Sequence, residues 1–216
     1  FRNVRQNMFC SKFILSKAAS SLANTPYAMH QRLADAFPHG NVHTQRDETR
    51  GYLFSSINGV VNVQSALRPN FDKAFKNAMH LISGTPVIKE IECNYVNGQV
   101  KKFRLKTIPT FNLSENEKRK RMAFVDPDDI INWFDSRTNK WGFQPRKCFF
   151  SKLSPEKSEK RMLDENKKPK LLNMTWLPVL FEGELIVTNQ DDFKRSIICG
   201  VGSHKGMGYG LILLND

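Results

Sequence analysis

The 216-residue chain carries 33 Lys+Arg against 21 Asp+Glu, a formal net charge of +12, with 40% hydrophobic residues and 16 Phe. So much apolar side chain supplies a core and excludes global disorder, while the positive field suits a polyanion, nucleic acid ahead of an anionic membrane surface. No apolar run approaches the ~20 residues that span a bilayer, and Cys10, Cys93, Cys148 and Cys199 form no C-x-x-C pair, which argues against a zinc knuckle or a disulfide framework.

The expectations from composition are a soluble, unsecreted, cytoplasmic protein with four buried reduced thiols, no metal or other cofactor, and no membrane contact. Along the chain, "MFCSKFILSK" from Met8 reads as a strand. "TPYAMHQRLADAFP" follows as a helix with Thr25 as N-cap and Pro26 at its first position, closed by Pro38 and Gly40. "GYLFSSI" and "VVNVQSAL" are strands joined by Asn58-Gly59, a strong hairpin signal. "PNFDKAFKNAMHL" (69–81) has Phe71, Phe75 and Met79 at helical spacing, and "PVIKEIECNYV" (86–96) is a strand.

After Asn97-Gly98 the same order returns: strand "VKKFRLKTI", helix "DPDDIINWFDSRTNKW" with Asp126 as cap, strands "RKCFFSKL" and "MTWLPVLFEGELIV", helix "DDFKRSIIC", and a last strand "YGLILL". Two β-α-β-β-α-β units predict an α+β chain of tandem ferredoxin-like domains, residues 1–97 and 98–216. Basic residues concentrate in "KKFRLK" (101–106) with "EKRKRM" (117–122), and again over 146–170, where a long basic hairpin projecting from the sheet is expected. Such an arm suits an RNA groove or its phosphates, and a solvated loop is the plainer alternative.

The C-terminal stretch "GVGSHKGMGYG" holds Gly200, Gly202, Gly206, Gly208 and Gly210. It is not a P-loop, which needs G-x-x-x-x-G-K-[ST]. A dinucleotide loop would follow a strand and open a helix, whereas here a helix precedes and a strand follows. An acetyltransferase coenzyme A loop would open a long helix with further strands, for which the six residues after Gly210 leave no room. A glycine-rich turn without a ligand is the remaining alternative, and the entropy lost by so many glycines argues for a compensating role.

Helix, Gly200-Val201-Gly202, five residues with a cation, Gly208-Tyr209-Gly210 and a final strand resemble the C-terminal signature of the CRISPR-associated endoribonucleases that process crRNA precursors. Together with "PYAMHQRLADAFP", "KKFRLKTIPTFN", "KRKRM", "INWF" before "WGF", and "LPVLFEGELIV", the chain is similar to the CasE branch of type I-E Cascade over nearly its whole length. The resemblance implies a prokaryotic, metal-independent nuclease that cuts hairpin-forming CRISPR repeat RNA. It also implies that the enzyme stays on the crRNA beside other Cascade subunits, the backbone subunit especially.

By the resemblance, His30 is the proton donor or acceptor and Tyr27, three residues earlier on the same helix face, a positioning group. Read alone, His30 is a packed helical histidine and Tyr27 a core aromatic. Lys205 matches the loop cation, His204 beside it is a second candidate, and Arg32 touches phosphate or faces solvent. Arg146, Lys147, Lys152, Lys160, Arg161, Lys101, Lys102, Arg119 and Arg121 are the further RNA-binding candidates from the basic stretches. His39, His43 and His80 need only surface or capping roles. Asp35 departs from the family pattern and is unwelcome near phosphate unless it faces away. A non-catalytic subunit that caps the RNA hairpin is the rival reading.

Overall fold

The computed structural model describes residues 7–37, 51–115, 118–163 and 168–215. Pro38, Gly40, His39 and His43 therefore lie outside the described residues. A first antiparallel sheet is built from β1 (Asn7–Leu15), β2 (Tyr52–Ile57), β3 (Val60–Ser65) and β4 (Ile82–Glu92) in the order β2-β3-β1-β4. Its helices are α1 (Ser20–Ala23), α2 (Pro26–Ala34) and α3 (Phe71–Ala74). Next come β5 (Val100–Thr107), the hairpin β6 (Thr110–Glu115) and β7 (Lys118–Ala123), and α4 (Pro127–Thr138). The chain continues with β8 (Phe143–Lys152), the hairpin β9 (Glu156–Leu163) and β10 (Pro169–Trp176), β11 (Val179–Val187), α5 (Gln190–Cys199) and β12 (Ile212–Asn215). The second sheet, β12-β5-β11-β8, repeats the strand order of the first. The architecture is the expected α+β tandem ferredoxin-like fold, with two hairpins inserted in its second half.

Local chemistry accounts for most boundaries. Asn58 and Gly59 at φ 49° and 75° make the tight turn between β2 and β3. Asp126 accepts from the amides of Asp128 and Asp129 and so caps α4. Thr25 does stand at the N-cap of α2, but its hydroxyl donates to the Ser21 carbonyl instead of capping. The predicted helix over 69–81 shrinks to one turn, because Asn70 caps it at Lys73 and Asn77 at φ 60° breaks the continuation. The apolar run 174–187 is two strands in two different sheets, parted at Leu177-Pro178.

One core fills the space between the first sheet and α2 and α3, with Phe13, Phe71 and Phe75 in edge-to-face contact at 5.2 and 5.4 Å. A second, around Phe103, Leu105, Phe134, Phe181 and Phe193, lies under α4 and α5 and takes in Met8 from β1 and Cys93 just after β4. Of the four free thiols only Cys93 is fully buried, the other three being half-buried. Burial still pushes Cys10 and Cys148 up to about 11. Among the described residues no helix is long and apolar enough to cross a membrane.

The two sheets are joined by buried polar contacts. Gln64 on β3 donates to the Ile197 carbonyl of α5 at 2.6 Å. Lys106 on β5, 3% exposed, donates to the Ser56 carbonyl of β2 at 2.8 Å and to Glu156 of β9 at 2.6 Å. The other Glu156 oxygen accepts from the Tyr209 hydroxyl at 2.5 Å. This network places the 156–176 hairpin against α2, where β9 and α2 meet through Ser158, which accepts from the Tyr27 amide at 3.2 Å. A basic hairpin does stand between the two strands, but it begins at Glu156 rather than Arg146: 143–152 is the sheet's edge strand, and β9 of the hairpin packs against α2 instead of projecting from the sheet.

This packing sets the response to two substitutions. Gly210 sits at φ 84°, and a Cβ there would come 1.9 Å from the Val201 carbonyl oxygen. Gly210→Ala should lower folding stability by about 3 kcal/mol, read as a fall in the urea midpoint at unchanged slope. Lys106→Met strands a buried carboxylate and should cost about 3–5 kcal/mol, most of it recovered in the double variant Lys106→Met/Glu156→Leu. A double variant no more stable than the single one would show that the pair does not join the two halves.

Candidate active site

Besides the core it packs on, the helix α2 is covered at two further places. Its N-terminal residues meet β9, and along its length it meets the short 3-10 turn Lys205–Met207 inside the glycine-rich segment. Tyr27 and His30 are one turn apart on it. Tyr27 is half-buried, with the Lys160 ammonium 5.7 Å from its ring centroid. His30 is 8% exposed, and its Nε2 has essentially no accessible surface.

Nothing in the sequence marks the residue that holds His30. Tyr52, the first residue of β2, places its hydroxyl 3.0 Å from His30 Nδ1 and donates to the His30 carbonyl oxygen at 2.9 Å. A carbonyl can only accept, so the hydroxyl hydrogen goes there and the phenol oxygen accepts from Nδ1–H. In the neutral ring, that tautomer has its lone pair on Nε2. Burial, with Asp35 as a smaller second cause, raises the Tyr52 phenol far above its ordinary value, so the phenol keeps its proton. The ring is stacked with Phe37 at 4.9 Å and with His30 at 5.9 Å between centroids. Asp35 itself is exposed.

The loop behind α2 is packed tightly. Gly208 at φ 86° lies against Phe54, whose ring a Cβ would meet at 2.6 Å. Lys205 donates to the carbonyls of Cys199 at 2.9 Å and Gly200 at 3.1 Å, the orphan acceptors at the end of α5. His204 takes a left-handed conformation at φ 56°, with Nδ1 3.0 Å from the Ser203 hydroxyl. Burial first and the nearby Arg121 second depress its pKa below the ordinary histidine value.

Strand register sorts the remaining cations. Lys152 pairs with Val179, and Val179 with Thr107, the residue a Cβ on Gly202 would touch at 2.9 Å, so Lys152 belongs to the loop end of the second sheet. Lys101, Lys102, Arg146 and Lys147 sit in the rows around Glu184 and Leu185, roughly 17 Å away along the strands at ~3.3 Å per residue. Arg32 is turned away from the loop, donating to the Ala74 carbonyl at 3.4 Å with its guanidinium 5.5 Å from the Phe75 ring centroid. Arg119 and Arg161 lie on β7 and β9, their side chains outside the described set. The structure therefore places Lys160 beside Tyr27, one turn from His30 on α2, and packs the short turn of Lys205 against the same helix, while His204 and Arg121 are neighbours of each other. Among the described residues no group of three or more His, Cys, Asp or Glu is placed to hold a metal ion.

Residues 8–215 match the model of a family described as CRISPR associated protein. CRISPR-associated endoribonuclease Cse3 of Thermus thermophilus is 28% identical, over 95% of this chain and 98% of that protein. Among solved structures, Cse3 bound to a 19-nucleotide RNA superposes with a TM-score of 0.72 at 24% identity, covering 97% of this chain and 100% of that one. A chain of a CRISPR RNA-guided surveillance complex superposes at 0.63 and 18% identity, covering 95% and 98%. These superpositions show a shared fold, and with residues 8–215 inside the family match, the chain belongs to the family of CRISPR associated proteins.

Proposed function

We propose that this chain is an endoribonuclease that grips the hairpin of CRISPR repeat RNA and cuts the precursor beside it without a metal ion. The observation that carries the reading is the Tyr52-held imidazole of His30, on a helix flanked by Lys160 and the loop of Lys205. The names of the relatives, an endoribonuclease and a chain bound to RNA, support it. The reading includes a cytoplasmic location, a division into residues 1–97 and 98–216, and lasting residence on the RNA beside other Cascade subunits, the backbone subunit first among them.

RNA supplies its own nucleophile. The 2′-oxygen bonds to the adjacent phosphorus as the P–O5′ bond breaks in line, leaving a 2′,3′-cyclic phosphate and a 5′-hydroxyl. Neutral His30, with its lone pair on Nε2, accepts the 2′-hydroxyl proton. Once protonated, it can donate a proton toward the departing 5′-oxygen. Tyr27 positions the strand, and the Lys160 ammonium offsets charge on the phosphorane. Because Nε2 is covered, the RNA must displace part of the wall over it before chemistry begins. That same burial favours the second reading, a subunit that caps the hairpin without cutting it.

Cleavage of end-labelled repeat RNA in EDTA separates the two. A single cut at the hairpin base ending in a cyclic phosphate, lost in His30→Ala with binding retained, is the expected result, and intact RNA with the wild-type protein would select the capping role. Tyr52→Phe keeps the stack but frees the tautomer, and should slow single-turnover cleavage roughly 10- to 100-fold at unchanged affinity. An unchanged rate would remove Tyr52 from the mechanism.

A further inference from the structure

On the far side of the glycine-rich segment from α2, a groove of about 460 Å³ opens between the β6–β7 hairpin and α4. Its volume is in the range of small-molecule sites. Phe111 on β6, 38% exposed, stands at 4.7 Å and 39° from Phe124, so that part of an aromatic face borders the groove. Opposite, on α4, are Asn132 and Arg137, and Asn112 follows Phe111 on β6. The Arg137 guanidinium lies 4.7 Å from the Trp133 ring centroid, and its Nη1 donates to the Trp133 carbonyl at 2.9 Å and the Ser136 hydroxyl at 3.1 Å. Stacking and hydrogen bonds hold that cation in place ahead of any ligand.

The groove is connected to the loop. Thr110 at its edge approaches the Ser203 hydroxyl at 3.4 Å, and Trp133 beneath it would meet a Cβ on Gly202 at 3.6 Å. Asn112 pairs in register with Arg121 of β7, and Arg121 is the cation felt by His204. The groove therefore adjoins the loop at Thr110 and Ser203, with Arg121 opposite the groove's Asn112 on the paired strand. The neighbouring strand β7 carries Lys118, Arg119, Lys120 and Arg121 in succession.

The mixture of groups selects the ligand. An aromatic face with two carboxamides, one guanidinium and the Asp129 carboxylate offers stacking together with donors and acceptors, the complement of a nucleobase edge. Asp129 disfavours a phosphate inside the groove, whereas Arg121, opposite the groove's Asn112 in the β6–β7 register, favours one at its rim. We propose that the groove holds an unpaired base of the RNA next to the hairpin, stacked on Phe111 with its edge toward Asn132 and Arg137 and its phosphate at Arg121. This rests on the RNA-binding reading above and adds base contact to recognition by shape and phosphate.

The test is fluorescence anisotropy with the full chain carrying His30→Ala, so that the RNA stays whole. Two probes are used, the repeat hairpin alone and the hairpin with unpaired nucleotides on each side. The flanked RNA should bind about tenfold tighter, and Phe111→Ala or Asn132→Ala should abolish that advantage while leaving the hairpin-only affinity unchanged. Both side chains are exposed enough for these variants to fold, which the hairpin-only affinity verifies in the same titration. A flank advantage that survives both substitutions, or no advantage at all while the hairpin binds, overturns the groove and leaves the nuclease reading standing. Binding of neither RNA overturns both.

Discussion

A lysine with almost no access to water organises this molecule. Burial pulls the Lys106 ammonium below its ordinary pKa, while the Glu156 carboxylate 2.6 Å away opposes that shift and supports the charged form. Its donors reach different parts of the chain: the Ser56 carbonyl belongs to the first sheet, Glu156 to the β9–β10 hairpin, and Glu156 in turn takes the Tyr209 hydroxyl from the glycine-rich segment. The ring of Tyr209, fully buried, also has its centroid 5.2 Å from the ammonium. An ion pair of this kind adds little net stability over an apolar substitute. It does fix relative position, since any displacement leaves a charge stranded away from water.

The glycine-rich segment takes its meaning from that arrangement. Its glycines are a close-packing device, the backbone at Gly208 resting on Phe54 and at Gly210 on the Val201 carbonyl. With no side chain in the way, the segment lies between α2 on one side and Thr107 and Trp133 on the other. Lys205 serves this packing by closing the carbonyl end of α5. A packing role and an RNA-facing role are compatible, because the segment that supports α2 also meets the edge of the β6–β7 hairpin at Ser203 and Thr110.

Catalytic geometry on the proposed reading is inherited from the fold rather than carried by one motif. His30 comes from a helix, its tautomer from a strand residue 22 positions later, and Lys160 from a hairpin inserted in the other half of the chain. The distant cations tell the complementary story. Lys101, Lys102, Arg146 and Lys147 read as part of the same basic field as Lys152, and the register places them at the opposite end of the sheet. They add to the long-range potential that attracts RNA, which depends on total charge more than on placement.

What the sequence determined by itself was the periodic and the local. Alternating strands, capped helices and the Asn58-Gly59 turn made the repeated strand order legible, because each is set by neighbours a few residues apart. The glycine spacing was legible too, and resemblance put Tyr27 and His30 forward as candidates. Tertiary structure alone decided the rest. In "KKFRLK", Lys106 shares the alternating face of Lys102 and Arg104 and reads as solvent-exposed, yet the inserted hairpin and the first sheet close over it. Tyr52 carries no local mark of its bond to His30, and the run 174–187 looks like one strand until its two halves find partners in different sheets. Pairings across tens of residues depend on which surfaces meet after the chain collapses, and no window of sequence holds both members of such a contact.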